Sequence, residues 1–172
     1  MDTNIEHSLL LIVDVQNGFV TDRTSAVVPR IADLIRSGKF SNRAFTQFYN
    51  TDNSSYEKFM GWAGLKSEQS QMIDPRLSEF SNTVFKKTSY TAVTTEFKNY
   101  IDLNKFDEVH LCGIDTDCCV LATAVDLFEM GVRPIVLAHY CASNGGEVSH
   151  QAALTAMLRL IGRDLIKQGQ LI

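Results

Sequence analysis

Three apolar runs in this 172-residue chain end in side chains able to move protons or attack a carbonyl group. "SLLLIVDVQ" (8–16) leads to Asp14, "SNTVFKKTSY" (81–90) carries Lys86 and Lys87, and "VHLCGIDTDCCV" (109–120) leads to Cys118 and Cys119. A thiol, a carboxylate and an ammonium together make up a set for nucleophilic acyl transfer, in which the carboxylate takes the thiol proton and the cation steadies the charges. Blander readings of the same residues stand beside this one. Free cysteines are commonly small buried hydrophobes. Asp14 either anchors a loop or does chemistry, because a carboxylate ending an apolar strand is costly unless paired. Period-two alternation lets only one of Lys86 and Lys87 face a site. His110, Cys112, Cys118 and Cys119 lie close in sequence but match no zinc spacing. The four cysteines allow three disulfide pairings, none favoured by spacing.

The elements that would position these groups alternate. Residues 8–16 read as a strand buried on both faces, 26–40 as a helix stopping near Gly38, and 42–50 as a second strand. Residues 51–74, with "MGWAG", have no clean period and form a long excursion holding at most a helical turn. Such excursions often carry function. A third strand lies in 81–90 and a helix in 94–105, capped by Thr94 or Thr95. A fourth strand spans 107–114, and a helix from Asp115 to Gly131 carries the stripe Val120, Thr123, Ala124, Leu127 and Phe128. A fifth strand (132–143) and a long final helix complete the chain. Strands alternating with helices predict a three-layer α/β/α fold with a mainly parallel, Rossmann-like sheet, in one domain over residues 1–172. Parallel sheets place their sites at the carboxyl ends of strands, where Asp14, Lys87 and the paired cysteines all fall. A cap at Asp115 or Thr116 would put Cys119 in the first helical turn, where free N–H groups and the dipole favour a thiolate.

Composition narrows the partners. A net charge of −4 with no basic stripe argues against nucleic acid. The start, "MDTNIEHS", lacks the features of a signal peptide, and "LLLIVDV" is too short to span a bilayer. The expectation is a cytoplasmic protein with reduced cysteines, no membrane partner and a small-molecule substrate.

In order and separation, "LLIVDVQNGF" (10–19), "VFKKTSYTAV" (84–93) and "LCGIDTDCCVLATAVDLFEMG" (111–131) resemble the isochorismatase-like cysteine hydrolases. That family includes nicotinamidases, N-carbamoylsarcosine amidases and isochorismatases. The likeness runs from about residue 8 to the carboxyl end, through "LAHYCAS" and His150 with "AALTAMLRLIG". It implies Cys119 as nucleophile, with Cys118 at a variable pocket position, Asp14 as base, and Lys87, three residues before Tyr90, as the lysine. It implies a cis peptide between Ile114 and Asp115, an oxyanion hole from the backbone N–H groups of Asp115 and Cys119, and Phe19 as a pocket wall. The implied enzyme hydrolyses a small amide, carbamoyl or ureido compound through a thioester, needs no cofactor and is homo-oligomeric. Two alternatives remain: vinyl-ether hydrolysis of the isochorismatase type, with Asp14 as general acid, and a non-catalytic protein that keeps the fold.

Departures from the family pattern set further expectations. Nicotinamidases of the family bind a metal through an Asp-x-His pair after the second strand; here Phe48 and Asn50 stand there, so no metal is expected. Gly18 replaces a more usual aspartate, and His139 stands where many relatives have one. Asp115 takes a place often held by a small apolar residue and either faces the pocket or braces the turn. Trp62, the only tryptophan, either stacks on a planar substrate or packs the excursion. Tyr90 is counted with the pocket.

Overall fold

A computed structural model describes residues 7–172; the reading of the first six residues as part of a leaderless start lies outside the described residues. Six parallel strands form one sheet in the order β3-β2-β1-β4-β5-β6. They are β1 (Ser8–Val13), β2 (Asn42–Phe48), β3 (Val84–Lys87), β4 (Glu108–Ile114), β5 (Arg133–Ala142) and β6 (Ile166–Lys167). The sixth strand was not expected: two residues carry no periodic signal, and "IK" becomes a strand only because β5 offers its edge.

Side-chain alternation along β1 divides the core. Leu9, Leu11 and Val13 join one cluster with Phe97 and Ile101 of α4 (Thr95–Asn104), Ala124 and Leu127 of α5 (Leu121–Glu129) and Met157 of α6 (Glu147–Leu160). Leu10 and Ile12 face the other way, against Val28, Ile31 and Leu34 of α1 (Val27–Arg36). The sheet is thus covered on both faces, which is why β1 and β4 are uniformly buried rather than alternating. Thr94 caps α4 by accepting the Phe97 N–H at 3.2 Å. Phe128 departs from the predicted stripe and is 47% exposed, whereas Leu127 before it is fully buried.

The excursion holds two short helices, α2 (Ser55–Met60) and α3 (Glu68–Gln71), each capped by the serine before it. Their brevity explains why no period was legible. The chain after β4 also departs from expectation: Thr116–Val120 form a π-helical turn before α5 begins. No described helix is long and apolar enough to cross a membrane.

Strand order reverses between β1 and β4, with β2 and β3 added on one side and β5 and β6 on the other, and a crevice at such a switch point is where open α/β sheets bind ligands. Gly113 lets these strands close up at that point: at φ +128°, an added Cβ would lie 2.1 Å from the Val13 carbonyl oxygen.

Candidate active site

Asp14, the residue after β1, lies in the left-handed backbone region at φ +50° and is fully buried. Thr46 of β2 holds it twice: the Asp14 N–H donates to Thr46 Oγ1 at 3.0 Å, and that hydroxyl donates to Asp14 Oδ1 at 2.6 Å. The other carboxylate oxygen lies 2.6 Å from Lys87 Nζ. Lys87 ends β3, two strands away, and spans the gap by passing over the Phe48 ring at 5.2 Å. Lys87 also donates hydrogen bonds to the carbonyls of Ser89 at 2.8 Å and Tyr90 at 3.0 Å. Lys86 is exposed and Lys87 buried, as strand alternation requires.

Cys119 comes from the π-helical turn on the far side of the crevice and is 5% exposed. Its thiol is electrostatically coupled to both Asp14 and Lys87. The Ile114–Asp115 peptide is cis. The Asp115 carbonyl accepts N–H groups from Cys118 at 3.2 Å and Val120 at 3.1 Å, on either side of Cys119. The Cys119 N–H therefore belongs to a first turn, whose amides lack intrahelical partners. Thr123 ties this turn to the lysine loop: its hydroxyl accepts the Ala92 N–H at 2.9 Å and donates to the Cys119 carbonyl at 2.7 Å. Thr116 is anchored from beneath by His150 Nδ1 at 2.8 Å.

The electrostatics run against the expectation of a thiolate at Cys119. Burial raises its pKa well above the ordinary thiol value, Asp14 adds to the rise, and the opposing effect of Lys87 does not restore it. For Lys87 burial acts downward, but Asp14 and then Cys119 outweigh it and leave the pKa raised. Burial and Asp14 thus favour the neutral thiol at Cys119, beside the Asp14–Lys87 ion pair. The same burial that would starve an isolated ion of solvent makes the pair mutually dependent.

A cavity of about 350 Å³ opens over the sulfur. Phe19, Trp62, Tyr90, Cys118 and Asp115 all line it. Trp62 packs on Phe19, with ring centroids 6.0 Å apart and an interplanar angle of 11°, and it also lines the cavity. Tyr56 of α2, which sequence reading missed, stands edge-on to Trp62 and to Tyr90, at 6.0 and 5.1 Å between ring centroids.

Asp115 also does both things. It lines the cavity, and its Oδ1 accepts the Asn144 N–H at 2.7 Å and the Asn144 side-chain amide at 2.9 Å. It occupies the N-cap position of the π-helical turn, but its side chain makes no capping hydrogen bond. Asn144 was also missed, although it lies just past the carboxyl end of β5, where the same strand-end rule applies. Gly18 is explained by the excursion folding over it, since a Cβ there would press on Leu65 Cδ2 at 2.7 Å. His139 does not line the cavity; its ring packs edge-on to Tyr140 at 5.2 Å. Phe48 has no ligating atom and packs among Phe19, Tyr56 and Trp62, while Asn50 donates to the Trp62 carbonyl at 3.2 Å. These residues do not fit a metal site.

The isochorismatase domain model matches residues 8–167. Isochorismatase domain-containing protein 2 of Xenopus laevis is 31% identical over 84 residues, 48% of this chain and 40% of that protein. The isochorismatase family protein PncA of Bacillus subtilis, described as uncharacterized, is 37% identical over 78 residues, 45% of this chain and 42% of that one. The matched stretch thus spans less than half the length of either relative. Among solved structures, N-carbamoylsarcosine amidase from Thermoplasma acidophilum superimposes with a TM-score of 0.82 at 20% identity, covering 96% of this chain and 98% of its own. PnC1 from L. infantum, solved in complex with nicotinate, gives 0.80 at 20% identity over 97% and 98%. At these identities the structural likeness is one of fold.

Proposed function

This chain belongs to the isochorismatase family, and from that premise we propose that it is a cysteine-dependent hydrolase of a small amide, carbamoyl or ureido compound, working through a thioester on Cys119. The observation that carries the reading is the sealed Asp14–Lys87 ion pair, 2.6 Å across and electrostatically coupled to the Cys119 thiol, which lines a cavity. A core thiol has no use for a buried carboxylate and ammonium aimed at it, and neither ion would be retained there cheaply.

The neutral resting thiol dictates how attack proceeds. As the sulfur bonds to the carbonyl carbon, its proton passes to Asp14, so a free thiolate never has to persist in the buried site. Lys87 stays protonated and holds the charge that moves from carboxylate to sulfur and on to the carbonyl oxygen. The N–H groups of Asp115 and Cys119 receive that oxygen as its double bond opens, a stabilisation worth about 3–4 kcal/mol per donor at comparable acyl-transfer sites. Collapse of the tetrahedral adduct breaks the C–N bond, and the proton on Asp14 goes to the departing nitrogen, releasing ammonia or an amine. Water then gives a proton to Asp14 and its oxygen to the thioester carbon. The acid leaves and the thiol recovers its proton.

The test is ammonia release across a panel of small amides and ureides by the wild-type protein and by Cys119→Ala. Turnover by the wild type that is lost in Cys119→Ala supports the reading. Turnover that survives in Cys119→Ala sinks it and favours chemistry that uses Asp14 as an acid alone.

A further inference from the structure

The cavity has one charged wall that the proposed acyl-transfer steps leave unused. Among the described residues lining it there is no arginine, lysine or histidine, and Asp115 is the only carboxylate. The backbone N–H of Asp115 is assigned to the oxyanion, but its side chain is held by a separate device. Asn144 grips Oδ1 with two N–H groups. Asn144 is itself fixed, since its amide also donates to the Phe19 carbonyl at 3.0 Å and its Oδ1 accepts the Thr21 hydroxyl at 2.8 Å. A carboxylate whose partner is locked on three sides keeps one orientation, and pre-organisation of that kind serves recognition.

Its charge is not compensated internally. Among the described residues no cation pairs with Asp115. Lys87 is taken by Asp14 and two carbonyls. Arg23 donates to the Asn144 carbonyl at 3.0 Å rather than to the carboxylate. The neighbouring Asp117 is bonded by the Ser143 hydroxyl at 2.5 Å and adds negative potential. Because Asp14 and Lys87 cancel, a site with Asp115 ionised carries a net negative charge. Facing it are Phe19, Tyr56 and Trp62, whose ring faces attract cations and whose shape suits a flat guest.

We propose that Asp115, held by Asn144, is the specificity-determining residue of this pocket and selects substrates whose end remote from the scissile bond is cationic or rich in N–H donors, rejecting anionic ones. The inference rests on the amide-hydrolase reading for what lies at the sulfur, but recognition at Asp115 is measurable without turnover. Substrates with a remote carboxylate would meet like charge in a desolvated site; those with an ammonium, amidine or terminal urea would supply the partner that the carboxylate lacks.

The experiment uses Cys119→Ala protein, the fluorescence of the single tryptophan Trp62, and three flat probes of matched shape: benzamidinium, benzamide and benzoate. At pH 8 benzamidinium should bind at least ~10-fold more tightly than benzoate, with benzamide between them, the ratio expected of a single partly buried charge contact. Adding Asp115→Asn should compress that ratio to within about threefold. Should that variant not fold, protonation substitutes for it: the ratio in Cys119→Ala protein should shrink between pH 8 and pH 5. Equal binding of benzamidinium and benzoate, no binding of any probe, or a ratio indifferent to both Asp115→Asn and pH overturns the proposal. A charge preference without amide turnover would leave this assignment standing and sink the hydrolase reading. Cys119-dependent turnover without charge preference would do the reverse.

Discussion

Lys87 Nζ and Asp14 Oδ2 lie 2.6 Å apart with both side chains sealed from solvent, although they leave strands that are not neighbours in the sheet. Neither ion has an alternative partner of opposite charge among the described ion pairs, so each is what makes the other tolerable. Removing one strands the other.

The first prediction follows from that dependence. Lys87→Met should destabilise the protein by about 3–5 kcal/mol, because it leaves a buried carboxylate unpaired. The double variant Asp14→Asn/Lys87→Met should recover a large part of the loss while remaining inactive. Urea denaturation midpoints measure this; strictly additive losses would show that the two side chains are not coupled. Since the pair raises the Lys87 pKa, its stabilisation is complete below the ordinary lysine pKa and is lost as pH rises through the higher folded value.

The second prediction separates reactivity from catalysis. Asp14 raises the Cys119 pKa and Lys87 lowers it. Asp14→Asn should therefore speed alkylation of Cys119 by iodoacetamide at pH 8, while amide turnover falls for want of a base, by roughly 10²–10⁴-fold. Lys87→Met should slow both. Rates of mass-resolved labelling give the answer, and slower alkylation in Asp14→Asn would contradict the assigned electrostatics.

Asp115 supplies a third. Burial, opposed by the two Asn144 hydrogen bonds and reinforced by Asp117 and Asp14, raises its carboxyl pKa to about 6. Unfolded, the group titrates near 3.9. Between those values the folded protein holds the proton and the unfolded chain does not, so this group's contribution to stability falls as pH rises through the window. At neutral pH the ionised side chain costs on the order of 1–3 kcal/mol. Asp115→Asn should thus raise the unfolding midpoint at pH 7.5 and leave it unchanged near pH 4. A carboxylate kept at such a cost is one more sign that it acts on a ligand.

A fourth concerns Thr123, which joins the lysine loop to the cysteine turn. Thr123→Val keeps the shape but leaves the Ala92 N–H and the Cys119 carbonyl unsatisfied, a loss of about 1–3 kcal/mol. As a positioning residue it should also lower kcat with little change in KM, and Thr123→Ser should restore both stability and kcat. Rescue of stability without rescue of kcat would show the hydroxyl to be structural only.

Much of this molecule was legible in the chain because the relevant signals are local. The apolar run before Asp14, the strand alternation that buries Lys87 and exposes Lys86, and the helical period of Val120, Ala124 and Leu127 each lie within a few residues. So did the substitution of Phe48 and Asn50 for ligating residues. The excursion was opaque because α2 and α3 are too short to show a period and owe their place to contacts such as the bond from the Gly18 N–H to the Ser70 carbonyl at 2.9 Å. Asn144 and Thr123 escaped for another reason: a polar residue's partner is set by what folds against it, and theirs lie 29 to 31 residues away.

By itself, then, the order of residues determined which segments become buried strands and which reactive groups stand at their ends, because period and apolarity act over one or two turns of chain. Only the tertiary structure decided that those ends converge. Strand order places residues 14, 87 and 119 in one crevice, and their charge states follow from how completely that crevice is closed to water. Proximity across a hundred residues and the dielectric around a thiol belong to the packed whole, and no stretch of sequence carries them alone.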